Sequence, residues 1–135
     1  MQDLLHNKIE VRRMISPVSV SDNTAQVSQI IDLQGYDACE IVVATGSLAD
    51  ADATFTALLE DGDAANLSDN AAVASTARLG SLPSFVFSDD DKVFKVGYLG
   101  AKRYIRLTIT PAANASAALF SAVAILGAAM KQPTS

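Results

Sequence analysis

The chain contains the run Arg103-Tyr104-Ile105-Arg106-Leu107-Thr108-Ile109-Thr110, followed by Pro111. Its apolar side chains Ile105, Leu107 and Ile109 recur at every second position, with polar or aromatic side chains between them. Successive residues of a β-strand point to opposite faces, so this run predicts a strand with one buried face. We expect Pro111 to end the strand, because proline has no N–H to donate to a sheet.

Two further runs predict strands of the same core. Residues Glu40–Thr45 are β-branched and apolar on both faces, which is typical of a buried central strand. Residues Ala53–Glu60 place Phe55, Ala57 and Leu59 on one face and end at an Asp-Gly-Asp turn signal.

Weaker patterns complete the predicted set of strands. They are Ile9–Ile15, stopping before Ser16-Pro17; Thr24–Ile31, with Ala25, Val27 and Ile31 on one face; Ser84–Ser88, a short edge strand; Lys92–Tyr98, with Phe94, Val96 and Tyr98 on one face; and Ala118–Leu126, a final core strand ending at Gly127. The alanine-rich stretch Ala64–Leu79 is a long connection, with a short helix or a strand pair at Val73 and Leu79. We predict an all-β, single-domain, jelly-roll-like β-sandwich of about eight strands over residues 1–135, with an N-terminal arm at about residues 1–8.

Composition excludes several classes of protein. The 135 residues are 50% hydrophobic and 19% charged, which is too apolar for a disordered chain. The net charge of −5 opposes nucleic-acid binding, which normally requires a basic surplus. One cysteine, Cys39, and one histidine, His6, leave little material for a disulfide framework, a zinc site or a catalytic triad. We therefore expect neither an enzyme nor a cofactor.

The sequence also bears on membranes and secretion. The first residues lack the basic and apolar regions of a secretory signal. The uncharged segment Pro111–Met130 contains polar residues such as Asn114 and Ser116, so we interpret it as a buried strand or packed helix instead of a membrane span.

Acidic residues come in clusters that are interpreted as turns. The clusters are Asp50 and Asp52; Glu60, Asp61 and Asp63; and Asp89, Asp90 and Asp91. Such oxygen-rich loops can bind calcium, but aspartate in turns more often bonds to its own backbone, so we predict no metal site. Cys39, beside the most apolar strand, is expected to be a small buried hydrophobe.

Two groups of residues are candidates for contact with a partner. Lys102, Arg103 and Arg106 gather positive charge on and beside one predicted strand, either as a solvated face or as a stripe that meets an acidic surface. The N-terminal region offers Leu4, Leu5, Lys8, Arg12 and Arg13. We predict that this region forms an inter-subunit contact; the alternatives are that its leucines cap the chain's own core, or that the arm is frayed before the first strand.

Three phrases carry a resemblance to a known group of proteins. They are residues Gln29–Tyr36, Asp50–Asp63 and Lys95–Pro111, the last with an unusual Gly-Tyr-x-Gly-x-Lys-Arg-Tyr turn and strand. In this order they resemble small proteins encoded among the head genes of tailed bacteriophages, including capsid decoration (cement) proteins with a jelly-roll fold. The resemblance spans roughly residues 24–126 and implies no catalytic residues.

The residues and the resemblance together predict a structural virion protein. It binds the outer surface of a phage head and bridges major capsid subunits, after synthesis in the host cytoplasm. We expect a homo-oligomer, a trimer in preference to a dimer, with no nucleic-acid or membrane partner. The alternatives are a jelly-roll binding module for carbohydrate or calcium-dependent adhesion, and a head–tail or tail structural protein.

Overall fold

A computed structural model describes residues 5–129, and side chains up to Gly127. The described chain is an all-β, jelly-roll-like sandwich of two antiparallel sheets. Its strands are β1 (Ile9–Val20), β2 (Gln26–Val27), β3 (Ile31–Asp32), β4 (Tyr36–Leu48), β5 (Thr54–Gly62), β6 (Ala71–Ala72), β7 (Arg78–Leu79), β8 (Ser84–Val86), β9 (Val93–Tyr98), β10 (Tyr104–Ala112) and β11 (Ala118–Ala129). Three short 3-10 turns, at Leu5–Asn7, Ser75–Ala77 and Phe87–Asp89, are the helical elements of this part of the chain.

The two sheets differ in where their long strands lie. Sheet A has the order β1-β11-β4-β9-β7. Sheet B is built on the long pair β10 and β5; β2 and β3 both pair with the outer side of β10, and β6 and β8 both pair with the outer side of β5. The long strands therefore lie at the centre of sheet B, whereas β1 is a long strand at an edge of sheet A.

The core lies between the sheets and follows the predicted alternation. Ile105, Leu107 and Ile109 of β10 are fully buried, as the sequence predicted. From sheet A, the buried side chains include Ile41, Val43, Val96, Phe120, Ala122, Ala124 and Leu126. Aromatic rings fill one part of the core: Phe55 and Phe85 stack with centroids 5.0 Å apart, and Phe120 meets both rings edge-on.

The expectation that Pro111 ends its strand is wrong. β10 continues to Ala112, and Pro111 lies opposite Phe55 of β5. On the other side of β10 the pairing with β2 ends at Ile109, so a residue without an N–H can be accommodated there without breaking a ladder.

The predicted stop of the first strand before Ser16-Pro17 is also wrong. β1 runs through both residues to Val20, with register shifts between Arg13 and Ile15 and again between Ile15 and Val18. β1 pairs with β11 alone, and an edge strand with bulges tolerates proline.

The predicted strand Thr24–Ile31 is two short strands separated by three residues. Ser28, at the break, is buried; its backbone N–H donates to the Leu107 carbonyl (2.7 Å), and its hydroxyl accepts from the Leu107 N–H (2.9 Å). The expected faces fail here as well, because Val27 is exposed while Ile31 is buried.

The remaining predictions are close to the observed elements. The Glu40–Thr45 strand is central but longer, and the last strand continues past Gly127 to Ala129. Phe87, predicted on the Ser84–Ser88 strand, begins a 3-10 turn and is exposed. The stretch Ala64–Leu79 forms a long connection holding β6, a 3-10 turn and β7. Among residues 5–129, no helix has the length and apolar character needed to span a membrane.

Candidate functional site

The outward-facing side of sheet A is largely apolar. We call it the sheet A outer face; it consists of Val11 and Arg13 of β1, Ser121, Val123 and Ile125 of β11, Glu40, Val42 and Ala44 of β4, and Val93 and Lys95 of β9. These residues alternate along their strands with the buried core residues, so they point away from sheet B. Val11 and Val93 are 54% and 69% exposed.

The register of the strands makes this apolar surface continuous. One row across the sheet holds Val11 and Ile125, followed by Glu40. The next row runs from Arg13 through Val123 and Val42 to Lys95. Arg13 and Lys95 lie at the two sides of the face, Glu40 lies on its central strand β4, and most of the other side chains are apolar. An apolar surface bordered by charged side chains is typical of a protein-binding surface.

Sequence reasoning missed this surface, although a signal for it was present. The residues Glu40–Thr45 are apolar on both faces, which was interpreted as burial on both sides. In an antiparallel sandwich, a strand has one face toward the core and the other toward solvent. Val42 and Ala44 are half-buried among their neighbours on that outer side, so the second apolar face is the surface itself.

The structure separates the two predicted groups of contact residues into different environments. Leu4 lies outside the described residues. Leu5 is exposed in the first 3-10 turn and Lys8 is exposed just after it, whereas Arg12 and Arg13 lie on β1. Arg13 contributes to the sheet A outer face and also donates to the Ser16 hydroxyl (2.6 Å).

Lys102, Arg103 and Arg106 each pair with a carboxylate. Lys102 Nζ lies 3.1 Å from Asp63 Oδ2, and Arg106 Nη2 donates to Glu60 Oε1 across the β10–β5 pair (3.0 Å). Arg103 donates to both oxygens of Asp32 at 2.9 Å and to Gln34 Oε1 at 2.7 Å. The three cations are therefore neutralised locally instead of forming an uncompensated basic stripe.

Asp32 brings together two residues from the separate predicted groups. Its carboxylate receives the Arg103 fork, which lowers the pKa of Asp32 below its ordinary value. Its backbone carbonyl accepts from Arg12 Nη1 (2.9 Å), and the Arg12 guanidinium lies over the Tyr36 ring, 5.8 Å from its centroid. Arg12 and Arg103 thus flank the same end of the sandwich.

That end of the sandwich contains a cavity of about 460 Å³, which we call the end pocket. The β3–β4 connection and the β9–β10 connection form its walls. Its lining includes Gln34, Tyr36, Asp37, Cys39, Asp63, Tyr98, Lys102 and Arg103.

Tyr98 lines the end pocket and joins the β9–β10 connection to β5. The Tyr98 hydroxyl donates to Asp61 Oδ2 (2.6 Å) and accepts from the backbone N–H of Lys102 (3.1 Å). Burial and the Asp61 carboxylate both raise the pKa of Tyr98 above its ordinary value of 10.0. The phenol therefore stays protonated and serves as a structural bridge.

Cys39 is buried beside the same pocket. Burial raises the pKa of its thiol from 9.0 to about 12, with a smaller contribution from neighbouring Glu40. A thiol held protonated is a poor nucleophile, which agrees with the predicted small-hydrophobe role.

Several acidic residues act as turn and cap residues, as the sequence predicted. Asp50 accepts from the backbone N–H groups of Asp52 (2.9 Å) and Ala115 (2.8 Å), which lowers the pKa of Asp50. Asp89 accepts from the backbone N–H of Val86 (2.9 Å) at the start of a 3-10 turn. Within residues 5–129, no three His, Cys, Asp or Glu side chains are grouped as metal ligands.

Comparison with known proteins identifies the fold. No protein-family model matches the chain, and no curated protein matches its sequence. Solved structures with a similar fold include the PBSX exported protein XepA (TM-score 0.58, 16% identity, 97% of this chain and 40% of that chain). A second is the CBM22-1–GH10 module pair of Clostridium thermocellum xylanase 10B, complexed with xylohexaose (0.55, 12%, 93% and 27%). A third is infectious bursal disease virus, Gx strain (0.51, 9%, 93% and 34%).

This chain thus spans less than half the length of each of these three chains. At such low identities the likeness is one of fold alone.

Proposed function

We propose that this chain is a structural virion protein that docks on the outside of a phage head and bridges major capsid subunits. The observation that carries the proposal is the sheet A outer face: a largely apolar surface of exposed and half-buried side chains that crosses four strands, with Arg13 and Lys95 at its two sides. Apolar patches of this kind on small soluble domains mark interaction sites.

The charge distribution suits a large protein partner. Six of the eight acidic residues in the predicted clusters lie in connections between strands, whereas the sheet A outer face carries Arg13 and Lys95 with the single acid Glu40. A partner surface with an apolar centre and an acidic rim complements this arrangement. Many identical copies on one shell then add modest individual interfaces into strong retention.

Two further considerations support a virion role. The chain resembles small phage head proteins over roughly residues 24–126, and its fold also occurs in a virus structure and in XepA. At the end pocket, the buried Tyr98 and Cys39 are both held protonated, so neither is activated as a nucleophile.

The test compares two exposed valines on opposite sheets. Val93→Glu places a charge on the sheet A outer face, and Val27→Glu places the same charge on sheet B, where Val27 is 57% exposed. Neither change disturbs the core. Rebinding of each purified variant to phage particles stripped of this protein is measured by co-sedimentation.

We expect Val93→Glu to weaken particle binding by about tenfold or more, because a carboxylate is then desolvated in an apolar interface, while Val27→Glu binds like the wild type. Equal binding by both variants would exclude the sheet A outer face. Electron microscopy of antibody-labelled particles distinguishes a position on the shell from a position on the tail. If adding wild-type protein leaves the heat resistance of stripped shells unchanged, the cementing role is contradicted.

The end pocket favours a second candidate, carbohydrate binding. It combines the Tyr36 ring with donors and acceptors from Gln34, Asp37 and Lys102, and sugar hydroxyls can bond to both kinds of group. Titration calorimetry with xylohexaose, the sugar in the xylanase complex, tests this candidate. Heat of binding that is lost in Asp37→Ala supports it, and no heat with the wild type counts against it.

A further inference from the structure

Glu40 is the one acidic side chain of the sheet A outer face, and it lies on the central strand β4. The other residues of its row across the sheet are uncharged: Val11 and Ile125 lie on one side, and Gly97 and Leu79 lie on the other. Val11 is 54% exposed and Leu79 is 65% exposed. A carboxylate therefore lies in the middle of the apolar surface that the proposed docking would cover.

Gly97 provides the space in which this carboxylate lies. A Cβ atom at residue 97 would be 3.1 Å from Glu40 Oε1 and 3.2 Å from Leu79 Cβ. The carboxylate thus lies over the backbone of β9, where any larger residue at position 97 would meet it, and Glu40 is half-buried. Its side chain is therefore directed along the face toward Leu79.

The described part of the chain supplies no counter-charge to Glu40. Within residues 5–129, no ion pair uses its carboxylate, and Lys95, one row away on β9, does not pair with it. Other acids, in contrast, each pair with a basic side chain; they are Asp32, Glu60, Asp63 and Asp89. Water solvates the Glu40 carboxylate as long as the face is exposed.

Covering this face without a counter-charge is costly. An ionised carboxylate that moves from water into an apolar contact loses its hydration, and a hydrogen-bonded group of opposite charge offsets that loss. Arg13 and Lys95 lie at the two sides of the face and leave the position over Gly97 without a cation. The compensating charge has to come from the partner.

We propose that the docking partner is a protein surface that presents a basic side chain, an arginine or a lysine, to Glu40 within an otherwise apolar contact. This inference rests on the proposed docking function and adds the chemistry of the partner. The partner carries a cation opposite Glu40 and carboxylates opposite Arg13 and Lys95, and a surface with an acidic or apolar group opposite Glu40 is rejected.

A charged side chain on an apolar face has an alternative use, which is to prevent unwanted contacts. The two interpretations predict opposite effects of removing the charge. If Glu40 only deters association, an uncharged side chain at this position strengthens binding to the partner; if Glu40 pairs with a cation of the partner, the same change weakens binding.

The test compares three substitutions of Glu40 by rebinding to phage particles stripped of this protein, measured by co-sedimentation over a range of protein concentrations. Glu40→Gln removes the charge and keeps the shape, Glu40→Leu introduces an apolar side chain, and Glu40→Lys reverses the charge. The control is Asp52→Asn, which removes the same charge from the exposed β4–β5 connection.

We expect Glu40→Gln to weaken particle binding by about tenfold or more, because the partner's cation is left unpaired in the contact. Glu40→Leu should weaken binding at least as much, and Glu40→Lys more, while Asp52→Asn binds like the wild type. Thermal unfolding identifies a loss of folding, and the nearly isosteric Glu40→Gln alone carries the test if the other two variants are destabilised.

Unchanged or tighter binding by Glu40→Gln, or tighter binding by Glu40→Leu, would overturn this inference. If Val93→Glu still weakens binding in that case, docking through the sheet A outer face stands without a cation opposite Glu40. A wild type that does not rebind, or a Val93→Glu variant that binds like the wild type, overturns the docking proposal and this inference together.

Discussion

The Tyr98 ring packs directly against Gly100, in the space that a side chain at residue 100 would occupy. A Cβ atom at residue 100 would lie 2.5 Å from Tyr98 Cζ, so any larger residue must displace a buried ring that bonds to Asp61 and Lys102. The unusual Gly-Tyr-x-Gly turn of the sequence therefore has a packing reason.

We expect Gly100→Ala to lower the free energy of unfolding by about 1–3 kcal/mol, because the buried ring has to move. Urea unfolding measures the change. Gly127→Ala is the matched control, since its added Cβ meets neighbours only at 3.9 and 4.0 Å, and it should be neutral or slightly stabilising. Equal destabilisation of both variants would contradict the steric explanation.

The raised pKa of Tyr98 makes stability depend on alkaline pH. In the unfolded chain the phenol ionises near its ordinary value of 10.0, whereas in the folded chain it stays protonated to higher pH. The unfolded state thus binds fewer protons above that value, and the free energy of unfolding falls as pH rises, by at most about 1.4 kcal/mol per pH unit. In Tyr98→Phe this part of the slope should be absent, although the variant is less stable at neutral pH. Parallel slopes for the two proteins would show that Tyr98 ionises normally.

At the scale of elements, Asn114 joins the end of β1 to the connection between β10 and β11. Its buried side-chain amide donates to the carbonyls of Val20 (3.1 Å) and Asp22 (3.0 Å). We expect Asn114→Ala to cost about 2–3 kcal/mol in the free energy of unfolding, because it leaves these carbonyls without that donor. Asn70→Ala, which removes a single amide bond to Leu67 from an exposed residue, is the control and should cost about 0.5 kcal/mol or less. Similar costs for the two variants would contradict this account.

The N-terminal arm makes a separate prediction. Leu5 is 65% exposed and β1 begins at Ile9, so deleting residues 1–8 should leave the melting temperature nearly unchanged. If the arm contacts another subunit, as its leucines and Lys8 predict, the deletion weakens rebinding to stripped particles by about tenfold. Loss of folding would place the arm in the core instead, and unchanged rebinding would exclude the contact.

Whether the sequence alone predicts a strand depends on whether the strand is determined by a local pattern or by pairing with distant parts of the chain. β5 and β10 alternate over most of their length because each has one face in the core, and that alternation is a local signal. The passage of β1 through Pro17 depends on β1 being an edge strand, which is a property of pairing and leaves no local trace. The break at Ser28 depends on Leu107, far away along the chain.

The candidate site was predictable only in part, for the same reason. Apolar residues on both faces of Glu40–Thr45 could have indicated an apolar surface, but the neighbours that extend it come from β1 and β11, at opposite ends of the chain. The basic residues were visible in the sequence, whereas their carboxylate partners, such as Asp32 for Arg103, become apparent only once the strands are paired.

For the whole molecule, the position of β11 has a consequence during translation. β11 is the last of the described strands to leave the ribosome, yet it lies between β1 and β4, the first and second long strands to emerge. Until about Ala118–Ala129 has been made, β1 has no partner in sheet A and β4 lacks one of its two neighbouring strands. Sheet A is therefore expected to close only after β11 has been synthesised, and nascent chains released before Ala118 should be digested rapidly by protease.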